Sequence, residues 1–345
     1  MAPTGTRIFL TGATGFVGGS VLSRLIEHPT FEHAEIWVLI RPSKKDKIPA
    51  LHSLGVKTVL GSYDDLDLLE DQAAHADVVF SCADADNLPA AQAILKGMKK
   101  KHERTGVQPL LFHTSGTGVL VDDAKGLHST DIIYDDMDAD QIDSLPPTQM
   151  HRNVDLAILE ADRDHHIKSY IILPPTIYSQ AKTKLVALGV QNPSSIQIPM
   201  LIRAGLLKGQ GGLVGKGENI WPNVHIDDVS DLCIVVYENA LSGKAAHGRE
   251  GLHFAENGEH KMYDVSKAVA QALYELGKGR SPEPEPFTDE DYNRFGRENL
   301  EYLGTNSRCR GRRGRLLGWK PKYTAEDMFK SIKPEVEYVI QHEKT

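Results

Sequence analysis

The chain has 345 residues, of which 40% are apolar and 25% charged, with a formal net charge of -8. This is a globular composition, long enough for one large domain or a domain plus a smaller lobe, and its acidic balance argues against a nucleic-acid partner. No apolar run approaches the roughly 20 residues of a membrane span, and the scattered Cys82, Cys233 and Cys309 match no metal or disulfide spacing. A reducing cytoplasm is the expected compartment.

The first predicted element is a short apolar strand, Arg7-Ile8-Phe9-Leu10. A glycine-rich turn follows, then an amphipathic helix running to about Glu27. Thr11, Gly12, Thr14 and Gly15 interrupt the apolar stretch, which sets it apart from a signal peptide. Strand, turn and helix together make the first half of a dinucleotide-binding βαβ unit. Gly12 suits the tight turn, Gly15 the close approach to a pyrophosphate and Gly18 the packing of helix on strand, while the helix N-terminus offers N–H donors.

Further strands are expected at 34–40, 56–60, 77–82, 109–114 and 169–173, the last stopped by Pro174-Pro175. A helix is expected over about 148–166. The acidic segment 119–147 reads as a long, substrate-facing loop. Beyond it helices dominate, with one over 227–239, a stiff polar connector at 281–286 and a closing helix over 325–343. Alternating strands and helices imply an α/β fold: a Rossmann-type doubly wound parallel sheet with a smaller, mostly helical C-terminal substrate lobe. The expected division is residues 1–180 as the dinucleotide-binding domain, with 221–256 returning to it, and 181–220 plus 257–345 as the lobe.

At the end of the second strand, NAD-binding folds place an acid on the ribose 2′-hydroxyl. This chain has Arg41 there, followed by Ser43, Lys44 and Lys45. That cluster suits a 2′-phosphate and favours NADP(H) over NAD(H). Asp64 and Asp65 read as lying near the adenine side or capping the next helix, with capping favoured.

Four segments, in this order, resemble the extended short-chain dehydrogenase/reductases of the NAD-dependent epimerase/dehydratase type. They are Thr11-Gly12-Ala13-Thr14-Gly15-Phe16-Val17-Gly18, Leu173-Pro174-Pro175-Thr176-Ile177-Tyr178, Asn223-Val224-His225-Ile226-Asp227-Asp228-Val229 and Leu316-Leu317-Gly318-Trp319-Lys320-Pro321. The resemblance spans nearly the whole chain and implies that Thr11, Gly12, Thr14, Gly15, Phe16, Val17 and Gly18 hold the cofactor. Arg41, Lys44, Ala83, Thr114, Pro174 and Thr176 join them. It also implies a small-molecule substrate and a possible homodimer, with no membrane or metal involved.

The family's reaction uses a Ser or Thr after the fifth strand and a Tyr-x-x-x-Lys on the next helix. Ser115 matches the first position, with Thr114 and Thr117 as nearby hydroxyls. The Tyr–Lys pair is replaced by His151 and Asp155. Tyr178 with Lys182 and Tyr263 with Lys267 fit the spacing elsewhere and read as coincidences, although Tyr178 could still line the pocket. Residues i and i+4 share a helix face, so Asp155 is expected beside His151, holding it charged as a substitute proton donor. Three functions follow from this departure. One is an NADP-dependent reductase of a small carbonyl, enone or imine. A second is a non-redox isomerase, lyase or cyclase on the same scaffold, and a third is a redox regulator of the NmrA-like type.

Overall fold

Strand β1 (Thr6–Thr11) sends Ile8 and Leu10 to one side and Phe9 to the other, and all three are fully buried. A strand covered on both faces has this character and belongs in the middle of a parallel sheet. The computed structural model, which describes residues 5–342, places it there. Around it lie β2 (Ala34–Ile40), β3 (Lys57–Leu60), β4 (Val78–Ser81), β5 (Leu110–Thr114), β6 (Lys168–Leu173) and β7 (Leu252–Phe254). The order is β3-β2-β1-β4-β5-β6-β7, and every neighbouring pair is parallel.

The two faces are covered by different helices. Ile8 and Leu10 pack with Val21 and Leu22 of α1 (Phe16–Glu27) and with Val229 and Leu232 from the helix Ile226–Leu241. Phe9 packs with Leu69 of α2 (Leu66–His75), Ile94 of α3 (Leu88–Thr105) and Val154 of α4 (Arg152–Arg163). Register is visible in one aromatic row. Phe80, Phe112 and Tyr170 are aligned across β4, β5 and β6 and stack with centroids 4.8 and 4.9 Å apart. A separate core holds the C-terminal lobe, built from Leu201, Trp221, Val269 and Ile332 among others.

Two stretches differ from the sequence expectation. The segment 119–147 is not a free loop. It carries a short helix, Ala139–Asp143, and a strand, Tyr134–Asp135, paired with Cys309–Arg310. Asp136 is buried there, accepting from the backbone N–H groups of Phe254, Arg312 and Arg313, and burial pushes its carboxyl up to about 6. Acids that looked solvated are therefore bonded to backbone N–H groups. In the connector 281–286, Glu285–Pro286 is pinned beside Gly212–Leu213. The closing helix runs Ala325–His342, and Glu343 lies outside the described residues. No helix among the described residues is long and apolar enough to cross a membrane.

Phe112, 2% exposed and stacked on both sides, anchors the sheet. Phe112→Ala is expected to lower the unfolding free energy by about 3–5 kcal/mol in urea titrations. A loss under about 1 kcal/mol would mean that the row is not a cooperative part of the core.

Candidate functional site

In an open parallel sheet, ligands bind outside the C-terminal ends of the strands, at the point where strand order reverses. Here that point lies between β1 and β4. Gly12 has φ +82, and a Cβ on it would lie 2.5 Å from the Cys82 carbonyl oxygen. A Cβ on Gly18 would lie 2.4 Å from the Gly12 oxygen. Only glycine fits at either place, and the resulting cradle is lined by backbone. The first turn of α1 has no side-chain cap and no acid, so its N–H groups and positive end are available to an anion.

The other residues expected at the cofactor divide into two groups. Ala83 is exposed in the loop after β4, beside Gly12. Arg41 and Lys44 are exposed beyond β2, and neither side chain makes a hydrogen bond or salt bridge among the described residues. Thr114 closes β5 with its hydroxyl on Cys82 Sγ at 3.4 Å. By contrast, the hydroxyl of buried Thr11 accepts from the Cys82 N–H, and that of Thr176 bonds Gln197 Oε1. Phe16 packs on Ala181 and Ile226, with Val17 against them, and Thr14 accepts from the Asn192 N–H through its carbonyl. Pro174 accepts from the Thr117 N–H and so stitches the β5 turn to β6. Asp65 accepts from the Ser62 N–H at 2.6 Å and makes no side-chain cap to α2, so the expected capping role is not realised.

The candidate reacting end is built on the Ser115–Gly118 turn and the start of α4. Helix α4 begins at Arg152, so His151 is the residue before it, with φ +65. That left-handed backbone turns the imidazole away from Asp155, and the expected His151–Asp155 pair does not form. The partner is Asp86, in the loop after β4. Its Oδ1 accepts from the His151 backbone N–H at 3.0 Å and from the ring Nδ1 at 2.8 Å. A carboxylate only accepts, so the ring proton sits on Nδ1 and Nε2 is left free. Nε2 lies over the turn, 3.1 Å from where a Cβ on either Gly116 or Gly118 would stand.

Asp155 lies beneath the turn, fully buried, where its Oδ2 accepts from the Ser115 hydroxyl at 3.1 Å. Burial pushes its carboxyl up to about 7, against the opposing effects of Ser115 and the Arg152 guanidinium. His113 Nε2 stands 4.0 Å from Asp155 Oδ1, and burial together with the nearby His151 lowers the His113 ring to about 3, keeping it neutral. Thr117 is wholly enclosed and its hydroxyl has no partner among the described residues. Tyr178 does not line the cleft, because it is buried and donates to the Thr324 carbonyl at 2.8 Å. Asp86 escaped the sequence reading. Its only signal there is an acid in a loop at the C-terminal edge of a parallel sheet.

The family model of the NAD-dependent epimerase/dehydratase family matches residues 8–248. The oxidase ucsJ of an Acremonium species is 27% identical, covering 98% of this chain and 97% of its own. An uncharacterised Schizosaccharomyces pombe protein is 26% identical over 72% of this chain and 77% of its own. Among solved structures, the UDP-glucose 4-epimerase of Thermotoga maritima aligns with a TM-score of 0.65 at 16% identity, over 98% of this chain and 100% of its own. The dTDP-glucose 4,6-dehydratase DesIV of Streptomyces venezuelae, with NAD bound, aligns at 0.64 and 18% identity over 98% of each. At these identities the structural matches show the fold alone.

Asp155 carries a test of its own. Its folded value near 7 stands above its ordinary 3.8. The stability it contributes is therefore full below about pH 4 and is lost as pH rises through 7. In Asp155→Asn that loss disappears, so the stability of the variant relative to the parent is expected to rise steadily between pH 4 and 8. A difference that stays flat across that window would contradict the buried, proton-holding role.

Proposed function

The chain belongs to the NAD-dependent epimerase/dehydratase family, and on that premise we propose that it is an NADP(H)-dependent oxidoreductase acting on a small carbonyl, enone or imine. The Asp86–His151 pair takes the place of the missing tyrosine and lysine. The 2.8 Å contact between Asp86 Oδ1 and His151 Nδ1, beside the dinucleotide cradle, carries this reading. The full-length similarity to a protein named an oxidase favours redox chemistry over a non-redox isomerase or lyase. A regulator would have no use for a histidine held in a strained backbone by a carboxylate.

The residues that would hold the dinucleotide are those of the Gly12–Gly18 turn and the first turn of α1, with Arg41 and Lys44 on the 2′-phosphate. Bound there, the nicotinamide supplies the hydride in reduction or takes it in oxidation. The protein moves the proton. In reduction, the His151 imidazolium donates from Nε2 to the substrate oxygen or nitrogen, and Asp86 stabilises the charged ring. In oxidation, neutral Nε2 accepts the proton instead. Ser115 orients the same substrate atom. When Asp155 is protonated it donates to Ser115 Oγ, which frees the serine proton for the substrate. When Asp155 is ionised it accepts the serine O–H as a hydrogen bond, and Ser115 offers its lone pairs to the substrate.

Two measurements test this reading. Replacing Arg41 and Lys44 together with Ala is expected to weaken NADPH binding by roughly 10-fold or more while leaving NADH nearly unaffected, since charge-assisted bonds contribute about 1.5–3 kcal/mol. Equal losses for the two nucleotides would remove the NADP assignment. His151→Phe is expected to slow NADPH consumption with small quinones, enones and cyclic imines by about 100-fold, with NADPH binding retained. An unchanged rate would take His151 out of the mechanism.

A further inference from the structure

A group of polar side chains lies sealed beneath the Ser115–Gly118 turn. Side chains alternate along a strand, so His113 points to the same face of β5 as Leu111. Leu111 packs there with Val154 and Ile158 of α4. That sets His113 against the first turn of α4, where Arg152 and Asp155, three residues apart, share a face. His113 and Arg152 are 1% exposed and Asp155 not at all. His113 Nε2 stands 4.0 Å from Asp155 Oδ1.

Five buried polar atoms of these three side chains make no hydrogen bond among the described residues. They are His113 Nδ1 and Nε2, Arg152 Nε and Nη1, and Asp155 Oδ1. The other atoms are engaged: Asp155 Oδ2 lies 3.1 Å from Ser115 Oγ, and Arg152 Nη2 faces Asp143 at 3.8 Å. Buried polar atoms without partners cost free energy, and native interiors satisfy them with protein or with ordered water. A gap of 4.0 Å is too long for a hydrogen bond and is a spacing that one water closes. A site polar on several sides is also the kind that holds a buried water.

We propose that a buried water molecule binds among His113, Arg152 and Asp155, and that through it His113 and Arg152 hold the acid proton of Asp155 on Oδ2, against Ser115. A guanidinium only donates, so Arg152 leaves both hydrogens of the water for acceptors. One goes to Asp155 Oδ1 and the other to His113 Nε2. With Oδ1 occupied as an acceptor, the proton of neutral Asp155 stands on Oδ2 and is donated to Ser115 Oγ. Ser115 then presents its own O–H to the substrate atom. His113 and Arg152 act through the water and Asp155, so they are positioning residues. This consequence for the reaction rests on the oxidoreductase reading above, whereas the water and the proton position do not. The other charged group that acts on Asp155 is Asp86, itself paired with His151.

A high-resolution crystal structure of the parent protein tests the water directly. A water within hydrogen-bonding distance of both His113 Nε2 and Asp155 Oδ1 is expected, and a dry gap overturns the proposal. The proton is followed by infrared spectroscopy on protein labelled with carbon-13 in aspartate, the protonated-carboxyl band of Asp155 being the one lost in Asp155→Asn. In His113→Phe that band is expected to move to higher frequency, since Oδ1 loses its hydrogen bond. It is also expected to persist to a pH about one unit higher, since the ionised form loses a donor. His113→Gln keeps a polar group at this place and is expected to restore most of both properties, which a packing role would not require. A band that is the same in parent and His113→Phe overturns the proposal. In kinetics with NADPH and small quinones, His113→Phe is expected to lower kcat by about fivefold with KM held, the worth of one neutral hydrogen bond. An unchanged kcat overturns the positioning role. A parent protein that consumes no NADPH would instead remove the oxidoreductase reading, with the crystal structure and the carboxyl band still deciding the water and the proton.

Discussion

One carboxylate oxygen holds the candidate site together. Asp86 Oδ1 accepts from both the backbone and the ring of His151, joining the loop after β4 to the start of α4 across 65 positions of sequence. The left-handed backbone at His151 costs on the order of 1–3 kcal/mol for a residue with a Cβ. Two hydrogen bonds to a charged acceptor offset that cost and leave the imidazole aimed over the Ser115–Gly118 turn. Without Asp86, nothing else among the described residues would fix the tautomer or the direction of Nε2.

The chemistry beneath the turn differs from that above it. His151 is in reach of the cleft, with 15% of its side chain exposed. Asp155 and His113 are sealed below it, and both are driven toward their neutral forms by burial. In the resemblance read from the sequence, Asp155 takes the position of the family pattern's lysine. Here the position faces inward, where its Oδ2 accepts from the Ser115 hydroxyl. On the proposed reading, proton handling passes to His151, the residue just before α4, while a titratable carboxyl stands beneath Ser115.

Most of the sheet was legible in the sequence. Strands buried on both faces read as continuous apolar runs bounded by Gly, Pro and Asp, and β1 to β6 fall within a residue or two of their expected limits. The three-residue β7 was too short to stand out. The glycine cradle was legible because its residues are adjacent in sequence. The pairing of His151 was not. Helical periodicity from Thr148 would have set His151 and Asp155 on one face, but the turn before Arg152 is set by Asp86, a contact no local pattern reports. Thr11 and Thr176 enter the expected cofactor set through the motif alone, and their hydroxyls also bond Cys82 N–H and Gln197 within the protein.

The central claim is that hydride transfer takes place at this cradle with His151 handling the proton. The most direct test supplies NADPH deuterated at the nicotinamide C4 position, together with the protein and a soluble cell extract, and follows new small molecules by mass spectrometry. A product carrying deuterium on carbon is the predicted result, and its mass would identify the substrate class. A new product free of deuterium, formed only when the protein is present, would contradict the account and assign the scaffold to non-redox chemistry.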